Sequence, residues 1–122
     1  MTEPENDEAR EHRIAMEVVV DAYGPEEQAM GWYYYLEEKI HFPFEARCRG
    51  MRSISPLKVK EEVKVIRMAP EGECMREMFV EIQLQGRNFG VPLAQLAPLG
   101  VDVDTREAIM DWHYWADRGY EF

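Results

Sequence analysis

Apolar positions follow a period near 3.6 in the first third of the chain, a period of two in the middle, and a helical period again at the end. From Ala9 to about Tyr23, Ile14 and Val18 recur at helical spacing beside Met16, Val19, Val20 and Tyr23, with Arg10, Glu11, Arg13 and Glu17 on the other faces. Gly24-Pro25 stops that helix, and Pro25 starts another, because its missing N–H would be unpaired in a first turn anyway. This second helix is expected to run to about Ile40 on a stripe of Ala29, Trp32, Tyr33, Leu36 and Ile40. The aromatic run Trp32-Tyr33-Tyr34-Tyr35 goes right round it, so it needs cover on two faces or deep packing. Phe42-Pro43 ends it.

Alternation then takes over. Phe44, Ala46, Cys48 and Gly50 face one way and Glu45, Arg47 and Arg49 the other, as in a half-buried strand. Val59, Val63 and Val65 alternate with Lys60, Glu62 and Lys64, and Met78, Val80, Ile82 and Leu84 with Glu81, Gln83 and Gln85. Gly86-Arg87-Asn88 reads as a hairpin connection into a short strand, Phe89 to Val91, and Pro92 to Leu96 as one helical turn. Ala69 to Arg76 reads as a surface loop, Ser53-Ile54-Ser55-Pro56 as a turn, and Thr105 to about Arg118 as a last helix burying Ile109, Trp112 and Trp115 or Ala116. The expected fold is α+β over one domain, 1–122. A polar tail at 1–8 precedes helices over 9–40, a small SH3-like antiparallel β-barrel or curled sheet over 44–97, and a C-terminal helix over 105–118.

Composition changes this picture in one respect. Apolar residues at 46% and charged residues at 31% are ordinary, but 24 acids against 14 bases leave a net charge of −10. A field of that sign repels phosphate backbones and anionic lipid and concentrates cations, so neither nucleic acid nor membrane is an expected partner. The excess is segmental: net −8 over 1–40, +2 over 41–87 and −4 over 88–122. Cation sites are therefore expected where the two acidic helical segments meet. No basic and apolar leader follows Met1, no stretch approaches about twenty apolar residues, and Cys48 and Cys74 have no C-x-x-C spacing, so a cytoplasmic protein with reduced thiols is expected. A monomer is the expected state.

Two carboxylate groups have chemical interest. Glu37 and Glu38 fall in the last turn of the second helix, where unpaired carbonyls and the negative end of the dipole also favour a cation. Asp102 and Asp104 enter the last helix, with Glu107 in its first turn and Asp111 a turn further on. Calcium accepts six to eight such oxygens in irregular geometry. The plainer readings are a solvated face for the glutamates and, for Asp104 and Glu107, an approximate capping box. An EF-hand is excluded: a loop begun at Asp102 has Glu107 where glycine is required and His113 in place of the terminal glutamate. His12, His41 and His113 are scattered, no phosphate-binding or nucleophile-elbow spacing occurs, and no nucleophile–base pair can be named, so no enzyme is expected.

Taken together, the segments Ala29-Met-Gly-Trp-Tyr-Tyr-Tyr-Leu-Glu-Glu38, Phe42-Pro-Phe44, Ile54-Ser-Pro-Leu57-Lys-Val59, Met68-Ala-Pro70, Met78-Phe-Val80, Val91-Pro-Leu93 and Asp111-Trp-His-Tyr-Trp115 closely resemble the CcbP-type family of small prokaryotic calcium-binding proteins. The resemblance runs from about Arg13 to Phe122. It implies a cytoplasmic calcium buffer or sensor without EF-hands, binding Ca2+ through acidic side chains. Glu38 stands where the family pattern leads us to expect aspartate after Leu-Glu, which keeps the charge and lengthens the reach. The resemblance carries over Glu38 first and its neighbour Glu37 after it, whereas Asp102, Asp104, Glu107 and Asp111 are candidates on charge and position alone. The competing reading is an interaction module, in which an SH3-like sheet offers Trp32, Tyr34, Tyr35 or Trp115 to a protein partner; exposure of those rings separates the two.

Overall fold

The structure is a computed structural model, and it describes residues 7–50 and 57–118. Asp7 caps the first helix, α1 (Glu8–Arg13), its Oδ1 accepting from the Arg10 amide at 2.9 Å. Asp7 and Glu8, expected in a tail, therefore belong to the helical part, and the rest of that expected tail lies outside the described residues. The helix widens into a single π turn, Ile14–Val18, and stops there instead of reaching Tyr23. Three consecutive β-branched residues, Val18-Val19-Val20, disfavour continuation, and Asp21 adopts a left-handed φ of 59° that turns the chain away.

Helix α2 (Pro25–Lys39) follows the expected bounds closely, with Pro25 in its first turn and Ala29, Trp32, Tyr33 and Leu36 buried. Gly31 is required where α2 meets the π turn: a Cβ there would overlap the Val18 carbonyl oxygen, so only glycine permits this approach.

Five strands form one antiparallel sheet in the order β4-β3-β2-β1-β5: β1 (Phe44–Cys48), β2 (Glu62–Met68), β3 (Phe79–Leu84), β4 (Arg87–Pro92) and β5 (Leu96–Leu99). Among the described residues β4 and β5 are edges, so the sheet is open and not a closed barrel. In β1, Phe44, Ala46 and Cys48 are buried and Glu45 and Arg47 exposed, as the alternation requires. In β2 the register shifts between Val65 and Arg67, which is why Val63 and Val65 are followed on the buried face by Met68. Val59, expected in that strand, lies before it and is exposed, because Lys60 takes a left-handed φ of 72° and breaks the extended run. The β3–β4 connection is two residues, Gln85-Gly86, and not Gly86 to Asn88. Both have positive φ, 53° and 77°, the turn whose twist matches paired strands.

The helical turn expected after Pro92 is present as Leu93–Gln95 and leads directly into β5. Leu96-Ala-Pro-Leu99 carries no alternating pattern, so the sequence alone did not indicate this strand. It pairs on one side only, with β1, where Pro98 is tolerated. Helix α3 (Val103–Asp117) closes the fold with Thr105, Ala108, Ile109, Asp111, Trp112 and His113 buried. Trp32 is fully buried against Trp112 and Trp115, with ring centroids 5.0 and 5.5 Å apart, and these rings join α2 to α3. The turn expected at 53–56 lies outside the described residues. No helix among the described residues is long and apolar enough to cross a membrane.

Candidate functional site

The two acidic segments do meet. The end of α2 lies beside α3 in the reverse direction, so facing side chains pair in order: Tyr35 with Asp111, Lys39 with Glu107, and His41 with Asp102. Thr105 helps fix the register, its Oγ1 accepting from the His41 amide at 2.9 Å.

This pairing sorts the six candidate carboxylates. Asp111 is wholly buried and is taken up by donors on both oxygens. Arg13 donates Nε to Oδ2 at 2.9 Å and Nη2 to Oδ1 at 2.7 Å, the Tyr35 hydroxyl donates to Oδ2 at 2.6 Å, and Arg10 Nε lies 3.1 Å from Oδ1. Arg13 is held charged by this pair, its hydrogen bonds to Asp111 outweighing the cost of burial. The Tyr35 phenol is pushed up to about 12, first by burial and then because it donates to Asp111. Glu107 bonds to Lys39 and lies 3.7 Å from Arg13 Nε, and the Lys39 bond holds its carboxyl below the usual range.

Asp102, and not Asp104, caps α3: its Oδ1 accepts from the Thr105 amide at 2.9 Å while Oδ2 meets His41 Nδ1. Hydrogen bonds with Thr105 and then His41 hold its carboxyl down, at about 2. Glu37 points to the other side of α2, where burial first, and then the nearby Glu37 charge, push the Tyr33 phenol up to about 12. Beside it the Tyr34 hydroxyl donates to Glu71 Oε1 at 2.7 Å.

Glu38 and Asp104 remain, and the structure brings them to one place. They line a cleft of about 470 Å³ with Glu17 from the π turn, Tyr34 and Tyr35 from α2, and Lys39 and His41 at its end. Glu17, Glu38 and Asp104 are exposed, and none makes a hydrogen bond or ion pair among the described residues. Glu17 was not a candidate from sequence, where it reads as the polar face of an ordinary helix; only the π turn packed on Gly31 sets it against α2. The donors without a partner among the described residues are carboxylate oxygens, with no thiol in the lining, which suits a hard cation. Among the described residues, no three His, Cys, Asp or Glu side chains are gathered into a ready coordination cluster. Any ion held here would rely on carboxylates that can still move, together with water.

Fold and site thus define a small acidic α+β protein in which three exposed carboxylates, without a hydrogen bond or ion pair among the described residues, line a cleft between helical segments. The model of the CcbP calcium-binding family matches residues 12–116, and the chain belongs to that family. Among solved structures, it is similar to the crystal structure of Anabaena CcbP, at 43% identity, with all of both chains covered and a TM-score of 0.87. It is also similar, at 43% identity over all of both chains and a TM-score of 0.85, to a calcium-binding protein in the calcium-binding form. No curated protein sequence matches.

Proposed function

We propose that this protein binds calcium reversibly in the cleft between the π turn, the end of α2 and the start of α3, with Glu38 and Asp104 as its principal carboxylates and Glu17 beside them. The observation that carries this reading is the division among the acids: Asp102, Glu107 and Asp111 are engaged by His41, Lys39 and arginines, whereas Glu17, Glu38 and Asp104 face one cleft with no protein cation bonded to them. A divalent ion entering the cleft would be attracted by carboxylates on its walls, and the surplus of −10 raises its local concentration. Membership of a calcium-binding family supports the choice of ion.

The role we assign is that of a cytoplasmic calcium buffer or sensor acting as a monomer, without substrate turnover. Two buried free cysteines, Cys48 and Cys74, agree with a reducing compartment. An interaction module offering these aromatic rings has less support: they stand on α2 and α3 and not on the sheet, Trp32 is fully buried, Trp115 and Tyr35 are half-buried, and Tyr34, though exposed, donates its hydroxyl to Glu71.

Calorimetric titration of ion-free protein tests the reading. Calcium is expected to bind saturably, with affinity reduced roughly tenfold or more in Glu38→Gln and in Asp104→Asn. Undiminished affinity in both variants would remove the cleft from consideration.

A further inference from the structure

A second concavity, which shares Val18 and Gly31 with the calcium cleft, lies between the chain at 18–24 and the start of α2. Its volume is about 620 Å³. Val18, Val20, Ala22 and Met30 give it apolar walls, and Asp21, Glu26 and Glu27 are its charged residues, with no basic side chain among the described residues that line it. Three large apolar residues are exposed within one eight-residue stretch of this chain segment, Met16 at 57%, Val20 at 47% and Tyr23 at 87%, and Val20 lines the groove. The shape is held from below. Gly31 lets the π turn sit directly on α2, and the left-handed Asp21 turns the chain so that Val20 and Ala22 border the groove.

We propose that this groove is a docking site for a basic, amphipathic segment of a protein partner, apolar side chains entering between Val20 and Met30 while lysines or arginines meet Asp21, Glu26 and Glu27. Charge complementarity selects this occupant. A second copy of the chain would set −10 against −10 and acid against acid, and an anionic bilayer would meet the same repulsion. A basic segment removes the repulsion and covers the apolar surface together. None of Glu17, Glu38 and Asp104 lines the groove, so the proposal stands apart from the assignment of the calcium site.

The test is an amide NMR titration of the whole protein in calcium-free buffer. The probe is a peptide of about 12 residues, roughly three helical turns, with leucines along one face and lysines elsewhere, compared with its glutamate counterpart. Saturable shifts centred on Val20, Ala22, Glu26 and Met30 are expected with the lysine peptide alone. Affinity should fall at least about tenfold in Val20→Glu, a change that adds negative charge and would strengthen attraction to a merely acidic surface. Val20 is exposed, so this variant should fold, and its far-ultraviolet dichroism should match the parent. Equal binding of both peptides, tighter binding by Val20→Glu, shifts centred on Glu38, or no saturable shift would each overturn the proposal. So would a dimer of the free protein that Val20→Glu dissociates, which would give the groove to a second copy.

Discussion

Arg13 holds both oxygens of Asp111, Nε to Oδ2 at 2.9 Å and Nη2 to Oδ1 at 2.7 Å, although the two residues are 98 positions apart in the chain. That fork ties the N-terminal helix to α3 and, with the Tyr35 hydrogen bond and the Arg10 ion pair, neutralises a wholly buried carboxylate. It separates an acid that holds the fold together from acids left available to an ion.

Asp111→Asn should therefore act on stability and not on calcium affinity. Removing one member of a buried ion pair leaves guanidinium charge poorly compensated, and a loss of about 3 kcal/mol is expected in urea or thermal unfolding. Calcium affinity of the folded variant, measured well below its melting temperature, should stay within about twofold of the parent.

Calcium should raise the melting temperature by mass action. At a free concentration about a hundred times the dissociation constant the gain is roughly 2.7 kcal/mol, and it should be abolished or much reduced in the Glu38→Gln, Asp104→Asn double variant. Scanning calorimetry at several calcium concentrations measures both.

His113 gives stability a pH dependence of known sign. Burial first, and then the nearby Arg49, lower its folded pKa to about 4 from an ordinary value near 6.5, so the unfolded chain binds the extra proton between those limits. The contribution is fully present above about pH 6.5, declines as pH falls and is lost by about pH 4, a total of up to roughly 3 kcal/mol. Urea midpoints across that range should fall less steeply with acid in His113→Gln.

Gly31→Ala should be costly for an alanine within a helix. Its methyl group meets the Val18 carbonyl oxygen, backbone that cannot rotate away, so α2 and the π turn must separate. A loss of about 1–3 kcal/mol is expected in denaturant unfolding. Since the same contact holds Glu17 in place, calcium affinity should fall as well.

The sequence showed most where local chemistry decides the structure. Pro25 and the stripe through Trp32 and Leu36 place α2, and alternation places β1 and β3 nearly to the residue. Leu96–Leu99 was silent because an apolar edge strand containing proline has no period to read. The first helix is short of its apolar pattern because a left-handed Asp21 prevails over that pattern. At the candidate site, Glu38 and Asp104 could be nominated from charge and position. Nothing local distinguishes them from Glu107 and Asp111, since the cations that neutralise the latter come from remote parts of the chain. Glu17 was illegible for the same reason: its place beside α2 depends on a π turn and on the glycine facing it.

The most direct test of the account is a calcium titration of ion-free protein followed by amide NMR shifts, with a parallel magnesium titration. Saturable calcium shifts centred on Glu17, Glu38 and Asp104 are expected, and much weaker ones with magnesium, which demands a tighter octahedral site. Saturable shifts centred elsewhere, or equally small and unsaturating shifts with both ions, would contradict the cleft as the calcium site.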